Sequence, residues 1–467
     1  MTKSTNEIPL LSKTISIPSS PNSRYLDLPF TVPPEAGLVG LRASFKRQGG
    51  LPRVFFSLFS PDGYRGSKLK FPNNGNVNCD MWTTPEDASP GCIPGPISSG
   101  QWRLRLDLRE IDAGFDIDLH IYARVQPPVE THPAPFFDQR ILNTQPGWYR
   151  GELHAHTTES DGSLSVSELI TYAEESKLDY LSISDHVTVS QWWRVDRDRP
   201  PNLTLINACE MTGKHGHANM HGLTGWVDTF IGENGRTIND VAANVHARGG
   251  LICVNHALIS SVLGWRYADF DWHNADLMEI FHAMLGPNNT PLIALWDGLL
   301  RQGFRVIGVG GTDMHDPEVA IERLGQFATH VYARELSQPA IIEGLRSGQV
   351  FISTGPILEF QVRNAAGKTA LMGGRLSAGA EPVTLTTQVR APEPLRITFI
   401  KDGFFLHSEI TRPDPDGVAR ISLTDTYTGP AYYRVELHRP DPHPVYPEIE
   451  WRDHTHIRVL GNPVWVD

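Results

Sequence analysis

The sequence predicts an α/β protein in which helices wrap parallel strands in the middle of the chain, with a β-sandwich on either side. Apolar and polar residues alternate from about residue 25 to 125, and the same period returns after residue 356. Between these regions, amphipathic helices alternate with short apolar strands. The length of 467 residues is typical of about three domains. The predicted domains are an N-terminal sandwich with a Pro-rich linker, a central barrel or doubly wound sheet, and a C-terminal sandwich: residues 1–146, 147–358 and 359–467.

The N-terminal region has the pattern of half-buried antiparallel strands. Apolar residues occupy every second position in 115–123, and also in 102–108. The apolar run 54–59 ends at the turn sequence Ser60-Pro61-Asp62-Gly63. The Pro-rich stretch 127–135 then predicts a linker to the central region.

The central region repeats a helix followed by a strand. Ser165 and Glu168 form a capping-box pattern that predicts the start of an amphipathic helix. The strand 180–184 follows this helix. Two further pairs follow: helix 237–248 with strand 251–255, and helix 291–301 with strand 306–309. This alternation predicts parallel strands wrapped by helices.

The C-terminal region returns to a period of two. Apolar residues alternate in 383–389 and in 433–437, and Asp402-Gly403 and Asp416-Gly417 are turn sequences. We therefore predict a second, smaller β-sandwich.

Composition excludes several classes of protein. The formal net charge is −12 and no run of Lys or Arg stands out, so the chain lacks the basic surface that a general nucleic-acid or anionic-membrane binder needs. No stretch approaches the roughly 20 apolar residues of a transmembrane helix, and residues 1–18 lack the apolar core of a secretory signal. We expect a cytoplasmic protein whose partner is neither nucleic acid nor a membrane. Four cysteines are too few for a disulfide scaffold, and whether Cys79 pairs with Cys92 is left open.

Histidines and carboxylates concentrate where predicted strands end. Twelve of the 19 histidines lie between residues 149 and 330. Because parallel α/β folds gather functional groups at the carboxyl ends of their strands, this placement indicates a site. The five clusters are His154-Ala155-His156 with Asp161, Ser184-Asp185-His186, Asn207-Ala208-Cys209-Glu210, Asn255-His256, and Gly310-Gly311-Thr312-Asp313-Met314-His315.

These residue types favour a metal site. His154 and His156 are two apart on a strand, so both imidazoles point the same way and can bind one ion. Imidazoles and carboxylates are the ligands that Zn²⁺, Mn²⁺ or Fe²⁺ prefers. A single loop histidine is more often solvated or structural, but five clusters in the same relative position favour metal binding.

These motifs resemble those of a known family. The chain resembles the polymerase and histidinol phosphatase (PHP) domain in 154–157, 160–162, 184–186, Glu210, His256 and 311–315. More narrowly, it resembles the CehA/McbA-type metallohydrolases, named for carbamate hydrolases, in further segments: 89–91, 94–96, Trp102, 344–348, 353–356 and Asn462-Pro463. The likeness covers nearly the whole chain.

The resemblance implies a distorted (β/α)₇ barrel with two or three divalent metal ions, Mn²⁺, Zn²⁺ or Fe²⁺, at the carboxyl ends of its strands. It implies a first metal held by His154, His156, Glu210 and Asp313, a second shared by Glu210, His256 and His217, and a third held by Asp161, His186 and His315. It assigns catalysis to Asp161, His186 and Asp313. Asp161 stands where some PHP proteins have His, which bears on the metal preference.

Some assignments are left open. His217 is favoured over His221 as the ligand after Glu210, because the family shows Gly-His at the start of such a run. Asp185 is expected to orient an imidazole. Glu279 is either a positioning or a structural carboxylate, and His282 stands where relatives would have Asn. Trp192 and Trp193 either line the substrate mouth or pack within their own domain.

The predicted activity is hydrolysis. Clustered divalent metals lower the pKa of a shared water toward ~7 and polarise the attacked oxygen, so a metal-bridged hydroxide is the expected nucleophile. We expect small-molecule esters as substrates, phosphoesters first and carbamates or carboxyl esters second. A catalytically inactive PHP binding module is the alternative from another class. The proton for the leaving group is assigned to Asp161, His221 or water, and the oligomeric state is left open.

Overall fold

The computed structural model describes most of the chain. The described residues are 7–20, 24–46, 53–70, 76–127, 132–198, 201–259, 263–285, 289–379, 381–426, 428–440 and 457–467. Residues 128–131 of the predicted Pro-rich linker lie outside them. Among the helices of the described residues, none has the length and apolar character needed to cross a membrane.

Eight strands precede residue 126 and form two four-stranded antiparallel sheets. They are β1 (Glu7–Ile17), β2 (Arg24–Val32), β3 (Ala36–Lys46), β4 (Arg53–Ser60), β5 (Gly63–Lys70), β6 (Asn76–Thr83), β7 (Gly100–Arg109) and β8 (Phe115–Val125). One sheet has the order β1-β8-β3-β6 and the other β2-β7-β4-β5. Apolar side chains of both sheets share one core, as the alternation along β7 and β8 predicts. Cys79 and Cys92 lie in this core as free thiols.

The central region contains four α-helices and nine strands among the described residues. These are β9 (Gly147–Ala155), α1 (Val166–Glu175), β10 (Tyr180–Ile183), β11 (Thr204–Gly213), β12 (Gly216–His221), α2 (Ile238–Ala247), β13 (Leu251–Val254), β14 (Leu277–His282), α3 (Thr290–Arg301), β15 (Ile307–Gly311), β16 (Ala328–Ala333), α4 (Gln338–Ser347) and β17 (Val350–Ser353). The predicted capping box of Ser165 and Glu168 starts α1, and a second one, of Thr237 and Asp240, starts α2.

Strands β9 to β15 lie side by side in one curled sheet, in the order β15-β14-β13-β12-β11-β10-β9. They pair in parallel except for β12, which is antiparallel to both neighbours because it forms a hairpin with β11. The first and last strands of this run, β9 and β15, approach each other where the His156 amide donates to the Met314 carbonyl at 2.9 Å. Within the described residues, three α-helices lie between β9 and β15. A regular (β/α)₇ barrel is therefore not confirmed, and the hairpin takes the place of one helical crossover.

The C-terminal region is joined to the curled sheet. Its strands are β18 (Ile357–Asn364), β19 (Thr369–Leu371), β20 (Arg375–Leu376), β21 (Val383–Arg390), β22 (Leu395–Lys401), β23 (Phe404–Thr411), β24 (Val418–Asp425), β25 (Ala431–His438), β26 (Ile457–Gly461) and β27 (Val464–Val466). Strands β19-β18-β21-β24 form one sheet, whereas β26 pairs with β17 and extends the central sheet. The Asn462 side chain also bonds both backbone groups of Gly308 at 2.8 Å. The predicted domain boundaries stay a prediction.

Candidate metal centre

The side chains predicted to bind metals meet at one end of the curled sheet. Most of them lie at the carboxyl end of a strand or in the loop that follows, as parallel α/β folds place their functional groups. His217 is near the start of β12, which runs antiparallel to its neighbours. His154 ends β9 and His156 follows it, Asp161 precedes α1, His186 follows β10, Glu210 lies in β11, His217 in β12, His256 follows β13, and Asp313 and His315 follow β15. Several groups of three or four of these residues have ligand atoms within 4.8 Å of one another.

Glu210 lies at the centre of these groups and is fully buried. Its Oε2 faces three imidazoles: His154 Nε2 at 3.6 Å, His156 Nε2 at 3.5 Å and His186 Nδ1 at 2.7 Å. Its Oε1 faces two others: His217 Nδ1 at 3.1 Å and His256 Nε2 at 3.7 Å. The two oxygens thus face different sets of imidazoles, which is the arrangement of a carboxylate that bridges two metal ions.

Asp313 completes one set of donors. Its Oδ1 lies 3.1 Å from His154 Nε2 and 3.0 Å from His156 Nε2. Together with Glu210, these residues present two nitrogens and two oxygens toward one point. Four such ligands suit a tetrahedral or five-coordinate divalent metal.

Buried atoms without hydrogen-bond partners test whether this centre fits metal ions. Such atoms are usually satisfied in native proteins, so a cluster of them indicates an absent ligand. Among the described residues, the site atoms without a partner are His154 Nε2, His156 Nδ1, Asp161 Oδ1, Glu210 Oε2, His217 Nε2, His256 Nδ1 and His282 Nε2. Several of these atoms face the centre, and their chemistry is that of divalent-metal ligands. The residues present therefore fit two or more such ions.

The charges in the centre stabilise one another. Burial disfavours charge on His154, but Asp313, Glu279 and Glu210 together raise its pKa well above the ordinary value. Burial acts in the other direction on the pKa of Glu210, yet the neighbouring imidazoles, with His186 foremost, hold that pKa well below its usual range. Burial also lowers the pKa of His156 to about 4, so this imidazole is neutral and able to bind a metal at neutral pH.

The backbone next to the ligands is strained at three positions. Val187, His256 and Asp313 have φ of +57°, +30° and +54°, a region that side chains other than glycine rarely adopt. Each such residue costs about 1–3 kcal/mol, and the surrounding structure must hold it in place. Because all three lie at or beside ligands, the strain accompanies the fixed placement of the metal-binding side chains.

Asp161, His186 and His315 form the open side of the centre. Asp161 Oδ2 lies 3.6 Å from His186 Nε2, and Asp161 Oδ1 lies 3.5 Å from His315 Nε2. The structure adds His156 to this group. The side chains of Asp161 and His315 are 18% and 30% exposed, whereas that of His156 is fully buried. A substrate would therefore approach the centre from this side.

No family model and no curated protein matches the chain. Among solved structures, it is similar to a two-domain protein containing a predicted PHP-like metal-dependent phosphoesterase from Bacteroides vulgatus, at 14% identity over 66% of this chain and 95% of that chain, with a TM-score of 0.36. It is also similar to an amidohydrolase from Chromobacterium violaceum, at 14% identity over 36% of this chain and 88% of that one, with a TM-score of 0.24. At these identities and TM-scores, neither likeness establishes the family or the activity of this chain.

Glu279 fixes the orientation of His154. Its Oε1 accepts a hydrogen bond from His154 Nδ1 at 2.7 Å, and its Oε2 accepts one from the His256 amide at 2.8 Å. Because Nδ1 donates to Glu279, Nε2 of His154 points into the centre, where a metal ion would replace the proton that the raised pKa otherwise keeps on the ring. Gly311 permits this contact, because a Cβ there would lie 2.1 Å from Glu279 Oε1. Of the two alternatives that the sequence left open, the structure favours a positioning carboxylate.

Replacing Glu279 with Gln should weaken metal binding roughly 10- to 100-fold, the usual effect of losing a carboxylate behind a histidine ligand. A glutamine side chain has one oxygen acceptor, whereas His154 Nδ1 and the backbone N–H of His256 need two. Competition with a chelating dye would measure the change in affinity. The matched control is Glu343→Gln, at an exposed glutamate of α4. Equal affinities in the two variants would contradict the positioning role.

His217 and His221 lie on the same face of β12 but have different neighbours. His217 Nδ1 is 3.1 Å from Glu210 Oε1, whereas His221 Nδ1 lies 2.8 Å from the Ser182 hydroxyl. This geometry supports His217 as the ligand, an assignment that stays a prediction. We expect His217→Ala to lose at least one metal equivalent per chain and His221→Ala to keep the full complement, as measured by elemental analysis. The reverse result would assign the ligand to His221.

His282 was not among the predicted ligands, although it ends β14 at the same level as the others. Its Nε2 lies 3.6 Å from Glu279 Oε2 and 3.7 Å from Asp313 Oδ2. Its group with His154 and Glu279 also has the spacing of metal ligands. Its position at the end of a strand could have identified it as a candidate ligand. It was not chosen because relatives would have Asn at this position.

Two other side chains lie in different surroundings from those expected. Asp185 accepts hydrogen bonds from the Thr157 amide at 2.8 Å and from the Ser160 hydroxyl at 2.5 Å, so it orders the loop after β9 and not an imidazole. Trp192 is buried against Phe137, with ring centroids 5.6 Å apart. This favours packing within the domain over the alternative of a substrate mouth.

Proposed function

We propose that the protein is a metal-dependent hydrolase of small-molecule esters, with phosphoesters preferred. The observation that carries this proposal is the position of Glu210, whose two oxygens face separate sets of imidazoles while Asp313 closes one set. Such a carboxylate suits two divalent ions held close together, and paired ions of this kind are typical of enzymes that hydrolyse phosphoesters.

The chain's own residues hold and orient the reaction centre. When bound, the metals supply a water of lowered pKa and polarise the ester group. His154, His156, Glu210 and Asp313 fix one position, and Glu210 with His217 and His256 fixes the next. Mn²⁺, Zn²⁺ and Fe²⁺ all suit these donors.

The open side formed by Asp161 and His315 admits the ester. Of the three sources considered for the leaving group's proton, His221 is fully buried beside Ser182. Asp161 and water remain. Although burial raises the pKa of Asp161, His186 and His315 hold it well below its usual range, so Asp161 would have to take up a proton before donating one. Asp161 thus has two proposed roles, in metal binding and in catalysis.

Carbamate or carboxyl ester hydrolysis is the second candidate. It is supported by the motif resemblance to the CehA/McbA-type hydrolases, whereas the paired metal positions support phosphoesters. A binding module without activity is the least favoured, since every ligand of the motifs is present.

Elemental analysis coupled to hydrolysis assays tests the proposal. The purified protein would be assayed with added Mn²⁺, Zn²⁺ or Fe²⁺ on aryl phosphate mono- and diesters, an aryl acetate and an aryl methylcarbamate. We expect two or three metals per chain and metal-dependent turnover, fastest on a phosphoester. Fastest turnover of the carbamate would favour the second candidate, and protein that is inactive with every metal would favour the binding module.

A further inference from the structure

One face of the sheet β2-β7-β4-β5 carries charge instead of apolar residues. Alternate residues of a strand point to opposite faces, so Leu104, Leu106 and Leu108 of β7 face the N-terminal core. The residues between them point outward. On β7 and β4 these outward residues include Arg103, Arg105, Asp107 and Arg109, with Arg53 directly opposite Arg109 in register.

This outward face packs against the unit that holds the metal centre. The Tyr64 hydroxyl donates to the Val187 carbonyl at 2.8 Å, and Phe55 and Leu69 pack on the Val187 side chain. Arg105 forms an ion pair with Glu233. Val187 follows the predicted ligand His186, so the N-terminal sheet forms a wall beside the centre.

Arg53 and Arg109 lie opposite each other in the part of the wall where Phe55 packs on Val187, the residue after His186. Arg53 pairs with Glu110 at 3.1 Å. Burial lowers the pKa of the Arg53 guanidinium, while the neighbouring Glu110 carboxylate raises it. The Arg109 guanidinium lies 4.5 Å from the ring centre of Phe55, and Phe55 packs on Val187.

Two buried polar atoms in this corner have no hydrogen-bond partner among the described residues. Arg109 donates to Asp107 through Nε and Nη2, but its Nη1 is unsatisfied. The Tyr267 hydroxyl is also buried and unsatisfied. It lies against Gly213 at the end of β11, where a Cβ would be 1.8 Å from the hydroxyl oxygen. Buried donors without acceptors indicate a missing acceptor.

We propose that Arg53, Arg109 and Tyr267 bind a negatively charged group of the substrate, so that the natural substrate is an anionic ester. Guanidinium groups recognise carboxylate and phosphate through paired charge-assisted hydrogen bonds. Arg53 and Arg109 each pair with one carboxylate, Glu110 and Asp107. An anion would therefore bind through guanidinium N–H groups that these pairs leave unused, such as Nη1 of Arg109. This inference rests on the proposed function, because it names the substrate class of the same site.

Arg53→Gln tests the inference, with Arg103→Gln as the matched control. Arg103 lies on the same face but at the far end of β7, where it pairs with Asp27 at 3.2 Å. Both variants remove one positive charge. Calorimetry with metal-loaded protein would measure the binding of inorganic phosphate and of succinate, which separates a phosphate from a carboxylate ligand. We expect Arg53→Gln to weaken binding of the preferred anion at least tenfold and Arg103→Gln to change it less than twofold.

Tyr267→Phe provides a second variant that removes only a hydroxyl, and we expect it to weaken anion binding at least threefold without lowering the melting temperature. In hydrolysis, Arg53→Gln should raise KM for a 4-nitrophenyl hemisuccinate but not for 4-nitrophenyl acetate. The inference is overturned if the wild type binds neither anion, or if Arg53→Gln and Arg103→Gln have equal effects. Absence of all hydrolysis would contradict the proposed function, while the calorimetry would still decide whether the anion site exists.

Discussion

Replacing Glu210 with Gln should lower kcat/KM by about 10²- to 10³-fold, the range seen when one electrostatic group of an active site is lost. Its two oxygens face two sets of imidazoles, at 2.7 Å from His186 Nδ1 on one side and 3.1 Å from His217 Nδ1 on the other. An amide keeps only one oxygen and no charge. It therefore could not serve both proposed metal positions, and the water that the metals would activate would be lost with them.

Steady-state kinetics and elemental analysis of the same preparation measure this prediction. We expect Glu210→Gln to retain at most one metal per chain, against two or three in the wild type. Glu343→Gln, at a glutamate whose side chain is 70% exposed, is the control for the loss of one negative charge. Full activity of Glu210→Gln with a full metal content would show that Glu210 does not bridge the ions.

Local sequence patterns predicted the individual elements well. Alternation over 102–108 and 115–123 corresponds to β7 and β8, and the Ser165 capping box starts α1 as expected. These features depend on neighbouring residues, which a sequence displays directly. The order of the strands in a sheet depends on contacts between distant parts of the chain. The antiparallel insertion of β12 and the pairing of β26 with β17 were therefore not predicted.

The predicted metal ligands were brought together because strand ends of a curled sheet converge. Residues that act through distant contacts were harder to find. Glu279 lies in β14 and His154 in β9, 125 positions earlier in the chain. Only the folded sheet shows that the two side chains are partners. Arg53 and Arg109 gave no signal at all, because an outward-facing arginine on an alternating strand looks like an ordinary solvated residue.

Removal of the metals should destabilise the protein, and their return should raise its melting temperature by roughly 5–10 °C for each site that is filled. Ions that bind only the folded state contribute about 2.7 kcal/mol per site at a concentration 100 times Kd. For a unit of about 200 residues, each kcal/mol corresponds to about 2–4 °C. The unsatisfied buried atoms His154 Nε2 and Glu210 Oε2 are the physical reason, because metal ions would satisfy them.

His154→Ala and His330→Ala separate metal binding from packing in this measurement. Both histidines are buried, His154 in β9 and His330 in the neighbouring strand β16. His330 stacks on Phe351, with ring centroids 4.6 Å apart, and lies outside the described metal-binding groups. Scanning calorimetry with and without Mn²⁺ or Zn²⁺ should show the metal-dependent rise in wild type and in His330→Ala, although the latter melts lower throughout. His154→Ala should lose most of the rise. A rise of equal size in both variants would mean that the stabilising ions bind elsewhere, because an ion bound by His154 would bind more weakly without this imidazole.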